Sequence, residues 1–513
     1  MRSEEAAPLI SVPQAAPVQS RRGDTAFLVA ISAFVALIHI ATNGRYGFHR
    51  DELQFLSDAR HLDWGFVAYP PFTPLVERVG LALFGLWMPG LRLFSVLAQS
   101  VVIFTAGLIA REFGGRRPAQ IASASATAFA PLALFQGTEF QYTSFDLLWW
   151  VLACYFAVRL LNTENPRWWI AIGAILGLGL ETKYAIVFLI AGLLAGLALT
   201  EARRYFASRW FWTGVALALV LFLPNLIWLW RHQFISLTFL QHIHARDVGE
   251  GRAQGFWREQ FRICANFAAA PLWIAGLIGL AFNRRYRMLA WMAVVPILLL
   301  ALAKGRGYYT AGLYPMMVSM GAVLFERWLA WMPRIPRRVI AIVYSAAFAF
   351  VSVYVCAVVL PIGSSGPLRE FALSHNGDLR EEIGWDELVR TVAQIRDSLP
   401  ADQQEHLGIT TGNYGEYGAI EILGTKYGLH QPIGTTNSEW YRGYPATPPA
   451  TIIVLGLRQA EADSIFTGCK LAGHNGNSEG VKNEESQDHP DIFVCGPPRI
   501  PWPQLWREHR DFG

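Results

Sequence analysis

Apolar runs, each near the length needed to cross roughly 30 Å of hydrocarbon, recur through the first 360 positions of this chain. They fall at about 25–43, 90–110, 118–136, 145–161, 168–181, 184–199, 211–230, 265–283, 288–303, 311–329 and 339–360. The polar triplet Glu181-Thr182-Lys183 leaves the fifth and sixth runs either as two spans or as one interrupted span. One set of connections reads REFGGRR, NTENPR, EARRYFASR, NRRYR and PRIPRR. With two spans at 168–199, all of these basic connections fall on one side, and the positive-inside rule then gives about eleven spans, an inside N-terminus and an outside C-terminus.

After Leu360 the pattern changes to a polar region of about 150 residues. Positions 385–399 carry Leu388, Val389, Val392 and Ile395 at helical spacing. A strand-like LGIT, a glycine-punctuated turn leading into a helix (GNYGEYGAIEIL) and the strands TIIVLG and DIFVCG follow. This is a small α/β domain with enough residues for its own core. The glycine-rich turn lacks the spacing of a phosphate loop or a dinucleotide fingerprint. The expected organisation is a disordered cytoplasmic tail at 1–23, a multi-span membrane domain at 24–360 with outer loops 44–89 and 231–263, and an outer α/β domain at 361–513.

Composition agrees with a polytopic membrane protein. The 513 residues are 53% hydrophobic and 16% charged, against about 25% charged in soluble domains. A net charge of +4, widely spread, gives no electrostatic case for nucleic acid. The first apolar run follows Arg21-Arg22 without a small-residue cleavage site, which favours an uncleaved anchor. Cys154, Cys264 and Cys356 lie in apolar runs as packing residues, and no cysteine pair has metal spacing. Cys469 and Cys495 lie in the polar region, where an oxidising compartment would leave them either paired or free.

The connections opposite the basic set hold the candidate chemistry: HRDE at 49–52, GTEFQYTSFD at 137–146, ETK at 181–183, the long segment 230–262 and KGRGYY at 304–309. Ionisable groups at the edge of a membrane mark function by default. Asp51 and Glu52 are adjacent, so on a helix they point roughly 100° apart and suit separate tasks. A half-buried carboxylate can accept a proton from a hydroxyl in a transition state, and Arg50 stands beside it. The cations Lys183, Lys304 and Arg306 suit a departing phosphate. The bland readings are a solvated interfacial loop for the acids and snorkelling for each cation. His242 and His244, two positions apart, share one side of a strand but not of a helix, a weak metal signal without a third ligand. A divalent cation shared with Glu52 or Asp146 is the one cofactor left open.

The order of these motifs resembles the dolichyl-phosphate-mannose protein mannosyltransferase-like superfamily, the family 39 glycosyltransferases and their bacterial relatives. The matching stretches are HRDE with HLDWGFVAYPPFTPL, GLRLFS, TSFDLLWWVLACYFAVRL, WWIAIGAILGLGLETKYAIV, KGRGYYTAGLYPMM and the C-terminal TGNYGEYGAIEILG. The resemblance implies a C-type multi-span fold in the bacterial inner membrane that transfers a sugar, with inversion, from a polyprenyl-phosphate donor to a hydroxyl of a protein, lipid or glycan acceptor at the periplasmic face. It places the catalytic base on Asp51, a supporting acid on Glu52 and a second outer-loop acid on Asp146. Lys183, Lys304, Arg306 and Tyr309 match the region of the donor phosphate. One departure stands out. The aminoarabinose-transferring branch has an acidic-basic pair before the proline of the first outer loop, where this chain has Ala68-Tyr69 before Pro70. A transporter or flippase of lipid-linked saccharides is the alternative from another class; it predicts polar, discontinuous helices near the bilayer midplane.

Overall fold

The computed structural model describes residues 22–512, and these divide into two compact units. The first holds residues 22–41, Leu93–Ile227 and His244–Leu360; the second holds Thr42–Arg92, Trp228–Ile243 and residues 361–512. The C-terminal α/β region therefore shares a unit with the whole of the first outer loop and part of the second. The expected tail at 1–23 lies almost wholly outside the described residues.

Helices stand on all eleven apolar runs, from Arg22–Thr42 to Arg334–Val359. Among the described residues, five are individually long and apolar enough to cross a membrane, and up to seven if each of two sharply bent pairs counts as one span. The run at 168–199 is two helices, Trp168–Leu180 and Ile186–Ala198, with Lys183 in the break. The run at 118–136 is also broken, because Pro131 starts a new short helix, Pro131–Phe135, after Arg117–Ala128.

In the first unit the helices touch through glycine. A Cβ at Gly276 would stand 1.8 Å from the carbonyl oxygen of Met317, and one at Gly321 would stand 1.8 Å from that of Leu272. The helices Ala270–Phe282 and Tyr314–Trp331 therefore meet backbone to backbone, as small residues allow in lipid, where the hydrophobic effect does not drive helices together. On Arg334–Val359 the apolar side chains point outward instead: Phe350 is 78% exposed. That is the pattern of a lipid-facing helix.

The second unit is built on a five-stranded mixed sheet of β1 (Leu407–Thr411), β2 (Ile433–Gly434), β3 (Thr451–Val454), β4 (Lys470–His474) and β5 (Asp491–Cys495), in the order β2-β1-β3-β5-β4. β1 pairs parallel with β2 and β3, with Ile409 opposite Ile453; β5 joins antiparallel, with Val494 opposite Ile453. β3 is buried on both faces and reads as an apolar run, TIIVLG, whereas β1 ends on the buried Thr410 and Thr411. One face of the sheet packs Leu388, Val389 and Val392 of the helix Trp385–Ser398 together with Leu53 and Leu56. The other packs Phe466, Trp502 and Trp506. Cys469, the residue before β4, forms a disulfide with Cys495, the last residue of β5.

Candidate active site

Asp51 lies in the first turn of the helix Arg50–Arg60. His49 caps that helix: its Nδ1 accepts from the Asp51 amide (3.2 Å), while its own amide donates to Glu52 Oε2 (2.8 Å), a reciprocal capping box. The free amides of a first turn complement a carboxylate. Asp51 remains 28% exposed, with the Arg50 guanidinium 3.9 Å away. Its Oδ1 accepts from the hydroxyl of Tyr414 (2.9 Å), at the start of the helix Tyr414–Leu423 that follows β1. Burial, with the nearby Asp51 charge, holds the Tyr414 phenol well above its ordinary range, so it stays a donor. The two helices approach closely because Gly418 lies against the backbone of Leu53.

Glu52 points elsewhere and is 1% exposed. Arg92 grips it through both oxygens, with Nε to Oε1 at 2.8 Å and Nη2 to Oε2 at 2.6 Å. The same guanidinium donates to the carbonyls of Asn43 and Gly47 and lies 3.6 Å from Glu382. Glu52 thus ties the start of the Asp51 helix to Arg92. Sequence reasoning missed Arg92, although an arginine inside the apolar run at 90–110 was a signal that it needed partners.

A second buried acid network lies on the other side of the Arg50 helix. Asp58 accepts from Tyr69 Oη and Arg442 Nη2, each at 2.5 Å. Burial pushes Asp58 up to about 6 against the pull of Arg442. Tyr69 is one of the two residues, with Ala68, that depart from the aminoarabinose pattern, and here it turns inward to Asp58.

The cations and the second acid belong to the first unit. Lys183 Nζ lies over three aromatic rings, 4.1 Å from the centroid of Tyr309, 4.7 Å from Tyr142 and 5.5 Å from Tyr308. Asp146 lines the same small cavity of about 20 Å³. It is a helix residue rather than a loop acid, because the helix Tyr142–Thr163 begins four positions earlier; its Oδ1 accepts from Trp150 one turn on (3.0 Å). Arg306 is held by both oxygens of Asp247, at 2.6 and 2.7 Å, a partner that the sequence did not suggest. Lys304 is exposed, at the left-handed residue that ends the helix Arg287–Leu302.

The structure does not bring His242 and His244 together. Both lie on the helix Ile235–Gly249, where positions two apart point roughly 200° apart, and the His242 ring packs on Phe512 at 5.6 Å. Among the described residues there is no group of three or more His, Cys, Asp or Glu side chains placed to hold a metal ion.

Comparison with known proteins adds three findings. Residues 68–228 match the family model of dolichyl-phosphate-mannose-protein mannosyltransferase. The lipid A galacturonosyltransferase RgtD of Rhizobium johnstonii is 28% identical over 267 residues, covering 50% of this chain and 55% of that protein, so the chain spans about half the length of this curated relative. ArnT of Cupriavidus metallidurans, solved bound to undecaprenyl phosphate and in the apo state, is similar in fold at 14% identity, with TM-scores of 0.56 and 0.57 over 92% of this chain and 98% of that one. The sequence likeness to that mannosyltransferase family thus lies within residues 68–228, and over most of its length the chain has the fold of the ArnT structures.

Proposed function

We propose that this protein is a multi-pass inner-membrane glycosyltransferase that moves a sugar from a polyprenyl-phosphate donor to an acceptor hydroxyl at the periplasmic face. The observation that carries this reading is Asp51 itself, an accessible carboxylate fixed at a helix start and steadied on one oxygen by Tyr414. Asp51 takes the acceptor proton as the acceptor oxygen forms its bond to the anomeric carbon. The bond from that carbon to the phosphate oxygen breaks on the opposite face, so the configuration inverts and the electron pair leaves with the lipid phosphate.

Lys183, steadied by its aromatic box, and Arg306, oriented by Asp247, neutralise the charge that develops on that phosphate. Lys304, exposed two positions before Arg306, meets the donor headgroup. Support comes from the superfamily match, from the relative that transfers galacturonate to lipid A and from the fold shared with a protein solved with undecaprenyl phosphate. The Cys469–Cys495 disulfide suits an oxidising compartment for the α/β domain.

The test is transfer by the purified protein in liposomes, supplied with labelled polyprenyl-phosphate sugars and an envelope extract as acceptor. A new glycosidic bond from at least one donor is expected. Sugar moved across the bilayer with no new bond would establish a flippase instead.

A further inference from the structure

Arg50 adjoins Asp51 in the chain, yet the two do not form a hydrogen-bonded pair. The Arg50 Nε stands 3.9 Å from Asp51 Oδ1, too far for a hydrogen bond. A guanidinium beside an accessible carboxylate frequently closes on it through two parallel N–H···O contacts. Here it turns instead to the carboxylate of Glu484, 434 positions further along the chain, which Arg50 Nη1 contacts directly.

The rest of the Arg50 side chain is fixed as well. A Cβ at Gly415 would stand 3.0 Å from the Arg50 Cβ, so the glycine leaves room for the arginine stem. The guanidinium faces the Tyr414 ring, 5.7 Å from its centroid, within reach of a cation–π attraction. Glu484 is anchored through its own backbone, because its amide donates to both oxygens of Glu381 (3.2 and 3.4 Å). The preceding Asn483 donates Nδ2 to the Ile383 carbonyl (2.9 Å), while its Oδ1 accepts from the Ser486 amide (2.9 Å). Glu381 and Glu485 also face Arg50, but burial holds both carboxyls above their ordinary range. Among the described residues of the α/β region, Glu484 is the acid in contact with the guanidinium.

Where this guanidinium points matters to a general base. A carboxylate clasped by an arginine is a poorer proton acceptor, because the pair stabilises its charged form, and the clasp also covers its oxygens. We propose that Glu484 is a positioning residue for the transfer reaction: it holds the Arg50 guanidinium off Asp51, so that this carboxylate stays basic and open to the acceptor hydroxyl. Tyr414 and Glu484 thus act on Asp51 in different ways, one by donating to it and the other by restraining its neighbour. Both come from the C-terminal α/β region, which completes a site whose base lies in the first outer loop. The inference rests on the proposed role of Asp51 as the base.

The test uses the full-length protein in nanodiscs and first reads Asp51 without any substrate, by mass-spectrometric mapping of its labelling with a water-soluble carbodiimide and a small amine. Glu484→Ala should label Asp51 about three- to fivefold more slowly than wild type, the scale of a half-exposed ion pair, because the released Arg50 closes on the carboxylate. A mere loosening of the structure would raise the rate instead. Adding Arg50→Gln to that variant should bring labelling back to the wild-type rate or above it. In transfer from a polyprenyl-phosphate sugar, Glu484→Ala should lower kcat by a similar factor of about three to five with donor KM unchanged, and Arg50→Gln should recover it. If Glu484→Ala does not fold, Glu484→Gln reports in its place. Asp51 labelling that is unchanged or faster in the Glu484 variant, or a double variant no better than the single one, would overturn the inference. Failure of the proposed function looks different: the wild type would transfer nothing, or Asp51→Asn would transfer undiminished, while the labelling rates would still decide whether Glu484 holds Arg50 off Asp51.

Discussion

Asp51 is held by residues from distant parts of the sequence, with His49 two positions before it and Tyr414 363 positions after it. Because the Tyr414 hydroxyl bonds only one carboxylate oxygen atom, Tyr414→Phe should slow transfer without abolishing it. A roughly tenfold fall in kcat with donor KM unchanged is expected, the scale of one hydrogen bond to a charged group; steady-state transfer rates check it. Asp51 was legible in the sequence, because an acidic pair beside an apolar run needs a reason to be there. Tyr414 was not, since in the turn GNYGEYG it looks like any other loop tyrosine and only the packing of Gly418 on Leu53 brings it in. Lys183 was legible as a cation, whereas its box draws Tyr142, Tyr308 and Tyr309 from two other segments.

The helix that carries Asp51 has 11 residues, too few to be stable alone. Its capping box, the seat of Leu53 and Leu56 in the α/β core and the grip of Arg92 on Glu52 stabilise it. Arg92 has no solvent exposure, so Arg92→Met would leave Glu52 and Glu382 buried without their cation. The expected loss is about 3–5 kcal/mol, seen as a lower thermal midpoint and poor yield, with Arg92→Lys intermediate because it keeps the charge but loses the two-pronged contact. At this scale the sequence was read well where burial is two-sided: β3 and β5 lie in the apolar runs TIIVLG and DIFVCG. β2 has two residues and β4 (KLAGH) is an exposed edge, so neither carries a pattern. The histidine pair failed as a metal signal because the segment folded as a helix.

For the molecule as a whole, the second unit contains carboxyls that burial holds above their ordinary range: Asp58 at about 6, Glu416 at about 7, and Glu439 and Glu485 at about 8. Each such group favours the folded state most fully below its unfolded value, and that contribution is lost as pH rises through the folded value. The thermal midpoint of the α/β unit should therefore fall between pH 5 and pH 9, and Glu485→Gln should flatten the decline above pH 7; scanning calorimetry across that range checks both. The helical architecture was legible because the length of an apolar run is a one-dimensional signal. The grouping of residues 42–92 with the C-terminal domain was not, because it arises from long-range packing. The most direct test of the central claim is single-turnover transfer at saturating polyprenyl-phosphate sugar, comparing wild type with Asp51→Asn. If Asp51 is the base, the variant binds donor normally and transfers about 10²- to 10⁴-fold more slowly; a rate near that of wild type would contradict the account.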